Sequence, residues 1–245
     1  MNSVVKMSAV AVILALGMIL SASLLSKCFV RIRHEQAIAV KGYAEKDVVS
    51  DIGKFSSTCT ARGSSLKEAY AKLQDSRKTV MEYLARMGFS DAEMASETIQ
   101  TSRVPKRDAE GKETNETEYY DVSQTITVTS TNVARVRDVS SSITDLIKDG
   151  IDIRAFAPAF YVSDLKDTKL KLLAAATEDG YRRAVALAEN SRGKVGALIS
   201  AQQGVFQITE RNSTDTSGYG EYDTSTIEKT AKAVVTLEYA IEQNK

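Results

Sequence analysis

One residue of the 245 is histidine, two are cysteine, two are proline and none is tryptophan. A single histidine removes the commonest general base from most of the chain and makes a multi-histidine metal site impossible. Two cysteines build no disulfide framework, so Cys28 and Cys59 read as free thiols, with Cys59 in a predicted strand. An excess of charge of one sign is also missing. Lys plus Arg equals 32 and Asp plus Glu equals 32, which leaves no global electrostatic reason to seek nucleic acid. No G-x-x-x-x-G-K-[ST], H-E-x-x-H, C-x-x-C or G-x-S-x-G motif occurs,. These absences weigh against many enzyme classes while leaving carboxylate or lysine chemistry open. The expectation is a non-enzymatic protein, with no catalytic, cofactor-binding or metal residue assigned and no cofactor implied.

What is present begins with residues 7–26, MSAVAVILALGMILSASLLS, which carry no charge. As a helix such a run spans roughly 30 Å, the thickness of a bilayer core. Residues 1–30 therefore read as an uncleaved transmembrane signal-anchor that places 7–26 in a lipid bilayer. The alternative is a cleaved signal ending at the weak small-x-small site Ser21-Ala22-Ser23,. Lys6 flanks one end of the run, and Lys27, Arg31 and Arg33 flank the other. By the positive-inside count alone the C-terminal side stays cytoplasmic, although large domains translocate despite such charges.

The remainder, 31–245, patterns as α+β. A helix over 65–88 opens with Ser65 and Glu68 in capping-box spacing and stops at Gly88, with an apolar stripe of Leu66, Tyr70, Leu73, Val80, Leu84 and Met87,. A second helix covers about 132–149. An Ala-rich third runs over 165–192 to Gly193, and its small residues permit close approach to a sheet or helix. Residues 119–129 and 227–241 alternate apolar and polar, the pattern of antiparallel strands buried on one face,. Weaker strands fall at 35–42, 47–62, 94–104, 150–162 and 195–209, with Pro158 marking an edge or bulge in the fourth,. In order, 47–129 and 150–241 form two β-α-β-β units with antiparallel sheet and helices packed on it, joined by the middle helix. Each unit carries a polar insertion between its last two strands, PKRDAEGKETNET and ERNSTDTSGYGEYDTST, both expected as exposed hairpin loops,.

Few residues invite chemistry. Asp215, Glu221 and Asp223 offer oxygens to Ca²⁺ but lack the alternation and glycine of an EF-hand, so a solvated loop is the better reading,. Tyr219 and Tyr222 in the same insertion suit a partner contact. His34 reads as a juxtamembrane polar residue. Arg182, Arg183 and Lys194 form no basic stripe with interleaved aromatics, so no nucleic acid is expected,. In VKGYAEKDVVSD (40–51), Gly42 reads as a strand end or bulge, and Asp51 as a structural or interface carboxylate on the strand that follows,.

VKGYAEKDVVSDIGKF, YRRAVALAENSRGKVGAL and TIEKTAKAVVTLEYAI, in that order, resemble the SIMPL domain family over most of 36–242. The resemblance implies an exported bacterial protein of the periplasm or cell envelope. Some members are linked to oxidative-stress response and some form oligomers, and the resemblance implies no catalytic residue. It shifts the orientation toward a soluble part in the periplasm, held at the inner membrane by a single pass. The expected function is a membrane-anchored envelope protein that self-assembles into a homo-oligomer with a scaffolding or stress-protective role. The alternative is a periplasmic binding module that captures a small ligand or partner protein through the polar hairpin loops.

Overall fold

The computed structural model describes residues 17–23, 37–213 and 220–243. Most of the expected anchor, with Cys28 and His34, lies outside them, as do Asp215 and Tyr219. Residues 17–23 are helical, and among the described residues no helix is long and apolar enough to cross a membrane.

The fold is α+β, with antiparallel sheets and helices. Its strands are β1 (Ala37–Val49), β2 (Ile52–Gly63), β3 (Met94–Ser96), β4 (Gln100–Arg107), β5 (Glu113–Ser130), β6 (Asp152–Ala155), β7 (Ala159–Tyr161), β8 (Gly193–Gln203), β9 (Gln207–Glu210) and β10 (Glu228–Gln243). Its main helices are α1 (Leu66–Arg86), α2 (Val133–Ser142) and α3 (Lys166–Asn190), and a 3-10 turn, Ile143–Asp149, continues α2. One sheet runs β3-β5-β2-β6, with β4 also on β5 and β7 also on β2. The other runs β1-β10-β8, with β9 also on β10. The chain divides into two compact units. Unit one gathers the described residues of Met1–Ala44, Leu170–Val205 and Ala233–Lys245. Unit two gathers those of Glu45–Lys169 and Phe206–Lys232.

Unit two is built on large side chains. Alternate residues of β2 and β5 (Phe55, Cys59, Val122, Ile126, Val128) turn inward against Leu73, Val80 and Leu84 of α1 and Val136 and Val139 of α2, all nearly inaccessible to solvent. Burying side chains of this size contributes about 1.5–3 kcal/mol each. The opposite face of the same strands is a hydroxyl ladder, in which Ser56 meets Thr127 and Thr58 meets Thr125, each pair at 2.9 Å. The period-two reading of β5 is correct. The stripe on α1 is shifted: Leu66 and Tyr70 are exposed and Ala69 is buried in their place. Ser65 caps the helix by accepting from Glu68 N, while the Glu68 carboxylate reaches Ser64 rather than Ser65.

Unit one is built on small side chains. Leu172, Ala176, Gly180, Ala184 and Ala188, four residues apart, are the buried line of α3. A β-carbon on Gly42 would stand 1.9 Å from the Ala176 carbonyl oxygen and 2.7 Å from the Gly180 nitrogen. Gly42 is therefore no strand end or bulge. It lies inside β1, where strand backbone meets helix backbone and no side chain fits. Next to it, Tyr43 N–H donates to the Asp179 carboxylate at 2.9 Å. That bond lowers the Asp179 pKa, with Arg183 adding to it against the opposing cost of burial.

Three further expectations are corrected. The strand placed at 47–62 is two strands, with the corner at Ser50-Asp51. The first insertion is mostly strand. β4 and β5 continue through it to a tight tip where Asp108 accepts from Glu110 N and Lys112 N and Gly111 takes φ 82°, and the pairs Lys106–Glu116 and Arg107–Glu113 flank the stem. The segment 150–162 does not supply the first strand of a second β-α-β-β unit with β8 and β10. It breaks around Pro158 into β6 and β7, and both pair with β2. Ile153 and Phe160 are buried there, and the place beside β10 goes to β1.

Candidate functional site

A dense polar cluster lies in unit two at the start of β10. The alternation that buries Ala231, Val235 and Leu237 puts Lys229 on the same face, and Lys229 is 0% exposed. A buried ammonium must be paired and hydrogen-bonded. Lys229 Nζ donates to the Asp223 carbonyl oxygen at 2.7 Å and to Asp223 Oδ2 at 2.9 Å. Asp223 Oδ1 also accepts from the backbone N–H and hydroxyl of Ser225, and Oδ2 from those of Thr226. Burial by itself would raise the Asp223 pKa. The Ser225 and Thr226 hydroxyls and the Lys229 ammonium outweigh it and hold the carboxyl well below the usual carboxylate range,.

A second lysine on the same strand, Lys232, is 6% exposed, and its Nζ donates to the Ser213 carbonyl oxygen at 2.5 Å. The two lysines thus tie down Ser213 and Asp223, on either side of residues 214–219. Asp47, near the end of β1, accepts from the Thr230 hydroxyl at 3.1 Å and pairs with Arg211 at 3.2 Å, and Arg211 also reaches Glu228 at 3.3 Å. The Tyr222 hydroxyl accepts from Val162 N–H and donates to Val162 O, with its ring 6.4 Å from that of Tyr161. Alongside lies an open cleft of about 630 Å³ whose lining includes Arg137, Ser140, Pro158, Arg211, Thr226 and Glu228.

Chemically this cluster is a brace. The Asp223 oxygens accept from protein donors, the enclosed Lys229 ammonium among them. Asp223 is consequently not part of a solvated loop, while Glu221 is exposed and accepts through its backbone from Ile208 N. Among the described residues, no three His, Cys, Asp or Glu side chains are grouped to hold a metal ion.

Asp51 sits in the β1–β2 corner rather than on a strand face. It accepts from Ser163 N–H at 2.7 Å and from the Ser163 hydroxyl. The hydroxyl bond is the main cause of its lowered pKa, so its role is to tie that corner to the segment after β7. Cys59 is fully enclosed in the core, and burial, with Asp152 nearby, pushes its thiol up to about 11. Arg182 and Arg183 pair along α3 with Glu178 and Asp179. Sequence reasoning passed over Lys229, Lys232 and Arg211. The signal for Lys229 was there, since a lysine in register between Ile227 and Ala231 must be buried if they are. Nothing local marked Lys232 or Arg211, whose partners are Ser213, Asp47 and Glu228.

Fold and cluster together define a two-unit α+β protein whose ionic residues brace the connection between two strands. Residues 38–239 match the family model SIMPL, described as a protein of unknown function (DUF541), and the chain belongs to that family. A search of curated proteins finds no match.

Proposed function

We propose that this chain is a membrane-tethered envelope protein that self-associates and serves as a structural element. Residues 7–26 are the tether, and the folded part lies on the periplasmic side of a bacterial inner membrane. The observation that carries the reading is where exposed apolar side chains fall. Leu170, Tyr181, Leu187, Leu198, Ile199 and Val205 are between 39% and 60% exposed and lie within one stretch of unit one. Large apolar side chains left exposed this close together along the chain, on α3, β8 and just after it, support a contact surface,. Tethering confines copies to a plane and raises their effective concentration for assembly. Light scattering on the detergent-extracted full-length chain tests this. A mass of two or more copies is expected, and a monomer at micromolar concentration overturns it.

The cleft beside Arg211 favours a second reading, a module that captures a small polar ligand. Its cationic lining (Arg137, Arg211) and anionic lining (Glu210, Glu228) suit a zwitterionic molecule such as a short peptide. Titration calorimetry with a set of dipeptides would show binding that Arg211→Ala abolishes, and no heat from any of them would sink it.

A further inference from the structure

The outer face of the unit-two sheet changes character along its length. Residues directly opposite one another on paired strands share a face. Two rungs of this face are closed, because Ser56 bonds Thr127 and Thr58 bonds Thr125. The next two rungs gain a third strand, β4. One row is Thr60, Ser123 and Gln100, and the other is Arg62, Asp121 and Ser102. Here the polar groups stay open. Among the described residues, the side chains of Thr60, Ser123, Gln100 and Ser102 have no hydrogen-bond partner. Asp121 Oδ2 pairs with Arg62 at 3.4 Å, and Asp121 Oδ1 is enclosed without a donor. An enclosed carboxylate oxygen that lacks a donor is costly. Thr60, Gln100, Ser102, Val104, Asp121 and Ser123 together line a cleft of about 450 Å³, all of it within unit two.

We propose that this cleft binds a saccharide. Charge selects an uncharged occupant. Arg62, held over the Tyr119 ring at 5.0 Å, already balances Asp121. An anion would face the carboxylate, and a cation would have to displace the guanidinium. Hydrogen-bonding capacity selects a polyol. Three hydroxyls that donate or accept, an amide that does both and a carboxylate that only accepts match the hydroxyls of a sugar, each of them donor and acceptor. A sugar hydroxyl can also supply the donor that Asp121 lacks, since rotation of a carboxylate about χ2 is soft. Size agrees. Neighbouring strands lie about 4.8 Å apart and alternate residues about 6.8 Å apart along a strand, so three strands and two rows cover about 10 Å by 7 Å. That is the footprint of one sugar ring with its hydroxyls. Val104 offers the ring an apolar contact for its C–H groups. The site shares no residue with the cleft beside Arg211 and does not depend on self-association.

The experiment titrates the full-length chain with cellobiose, maltose and diacetylchitobiose by calorimetry. At least one should bind with a Kd of about 1 mM or tighter. Asp121→Ala should weaken that binding by at least about tenfold, and Ser123→Ala by about fivefold, the losses expected for hydrogen bonds to a charged and to a neutral group. Thr58→Val, on a closed rung outside the cleft, and Arg211→Ala should leave it unchanged. No binding of any of the three sugars up to about 10 mM overturns the proposal. So does binding that Asp121→Ala and Ser123→Ala leave intact, or binding of tetramethylammonium in place of the sugars. Should Asp121→Ala unfold, amide chemical shifts of the wild-type protein decide. Changes on adding sugar must fall in 60–62, 100–104 and 119–123, and changes confined to other segments exclude the site.

Discussion

Unit two and unit one solve the same problem, a helix laid on antiparallel strands, with opposite materials. Unit two separates helix from strand with Phe55, Leu73, Leu84 and Ile126, and these side chains are consumed in its core. Unit one brings helix and strand backbones together through Gly42, Ala176 and Gly180. After Leu172 the inward line of α3 is alanine and glycine, and Leu170 and Leu187 of the same helix are exposed. Close packing in unit one thus follows from the small residues of α3 and Gly42.

The largest expected effect comes from the buried charge in unit two. Asp223→Ala would leave the Lys229 ammonium enclosed without its carboxylate, and removing one partner of a buried pair costs about 3–5 kcal/mol. Urea unfolding measures it. A loss below about 1 kcal/mol, the range of exposed pairs, would show that the pair is effectively solvated.

Gly42→Ala comes next. The added methyl cannot coexist with the Ala176 carbonyl, and overpacking of this kind costs about 3 kcal/mol. Fast hydrogen exchange should appear in 170–190 and 233–243, while Cys59 stays shielded from iodoacetamide because the core of unit two is untouched. Rapid alkylation of Cys59 in this variant would mean the two units do not fail separately, and the comparison would break.

Acid separates the units more gently. Asp51, Glu68, Glu93 and Asp223 in unit two all have lowered pKa values, with Glu68 and Glu93 at about 2. For Glu68 the bond from Lys72 leads, and for Glu93 the bond from the Ser130 hydroxyl. A carboxyl depressed by folding stabilises the native state fully above its unfolded pKa, about 4, and that contribution is lost as pH falls toward its folded value. Unit one has only Asp179 of this kind among the described residues. The urea midpoint should therefore be flat from pH 7 to 5 and fall between pH 4 and 2, with exchange rising first in unit two. Loss beginning in unit one would contradict the assignment.

The smallest effect is chemical. With its thiol raised to about 11 and no exposed surface, Cys59 should resist iodoacetamide in the native protein at pH 8 and react once urea opens unit two,. Native reactivity would mean the core of unit two opens readily.

Much of this molecule was decided by local pattern. Period-two alternation in 119–129, the Ser65 cap, and the Ala-rich line of α3 are properties of neighbouring residues, and they specified which segments are helix, which are strand and which faces are buried. The family resemblance, too, was carried by residues in sequence order. Tertiary structure alone decided which strands are partners. The segment 150–162 joins β2 rather than opening a second β-α-β-β unit, because its inward residues complete the unit-two core and β1 takes the place beside β10. It also decided what Gly42 and Lys229 are for. A glycine in a strand reads locally as a break, yet here its missing β-carbon lets Ala176 and Gly180 of a distant helix come close. A lysine in a strand reads locally as exposed, yet here its register buries it, and Asp223 makes that burial tolerable. Backbone periodicity is a short-range property, whereas steric fit and charge compensation depend on residues that meet only after folding.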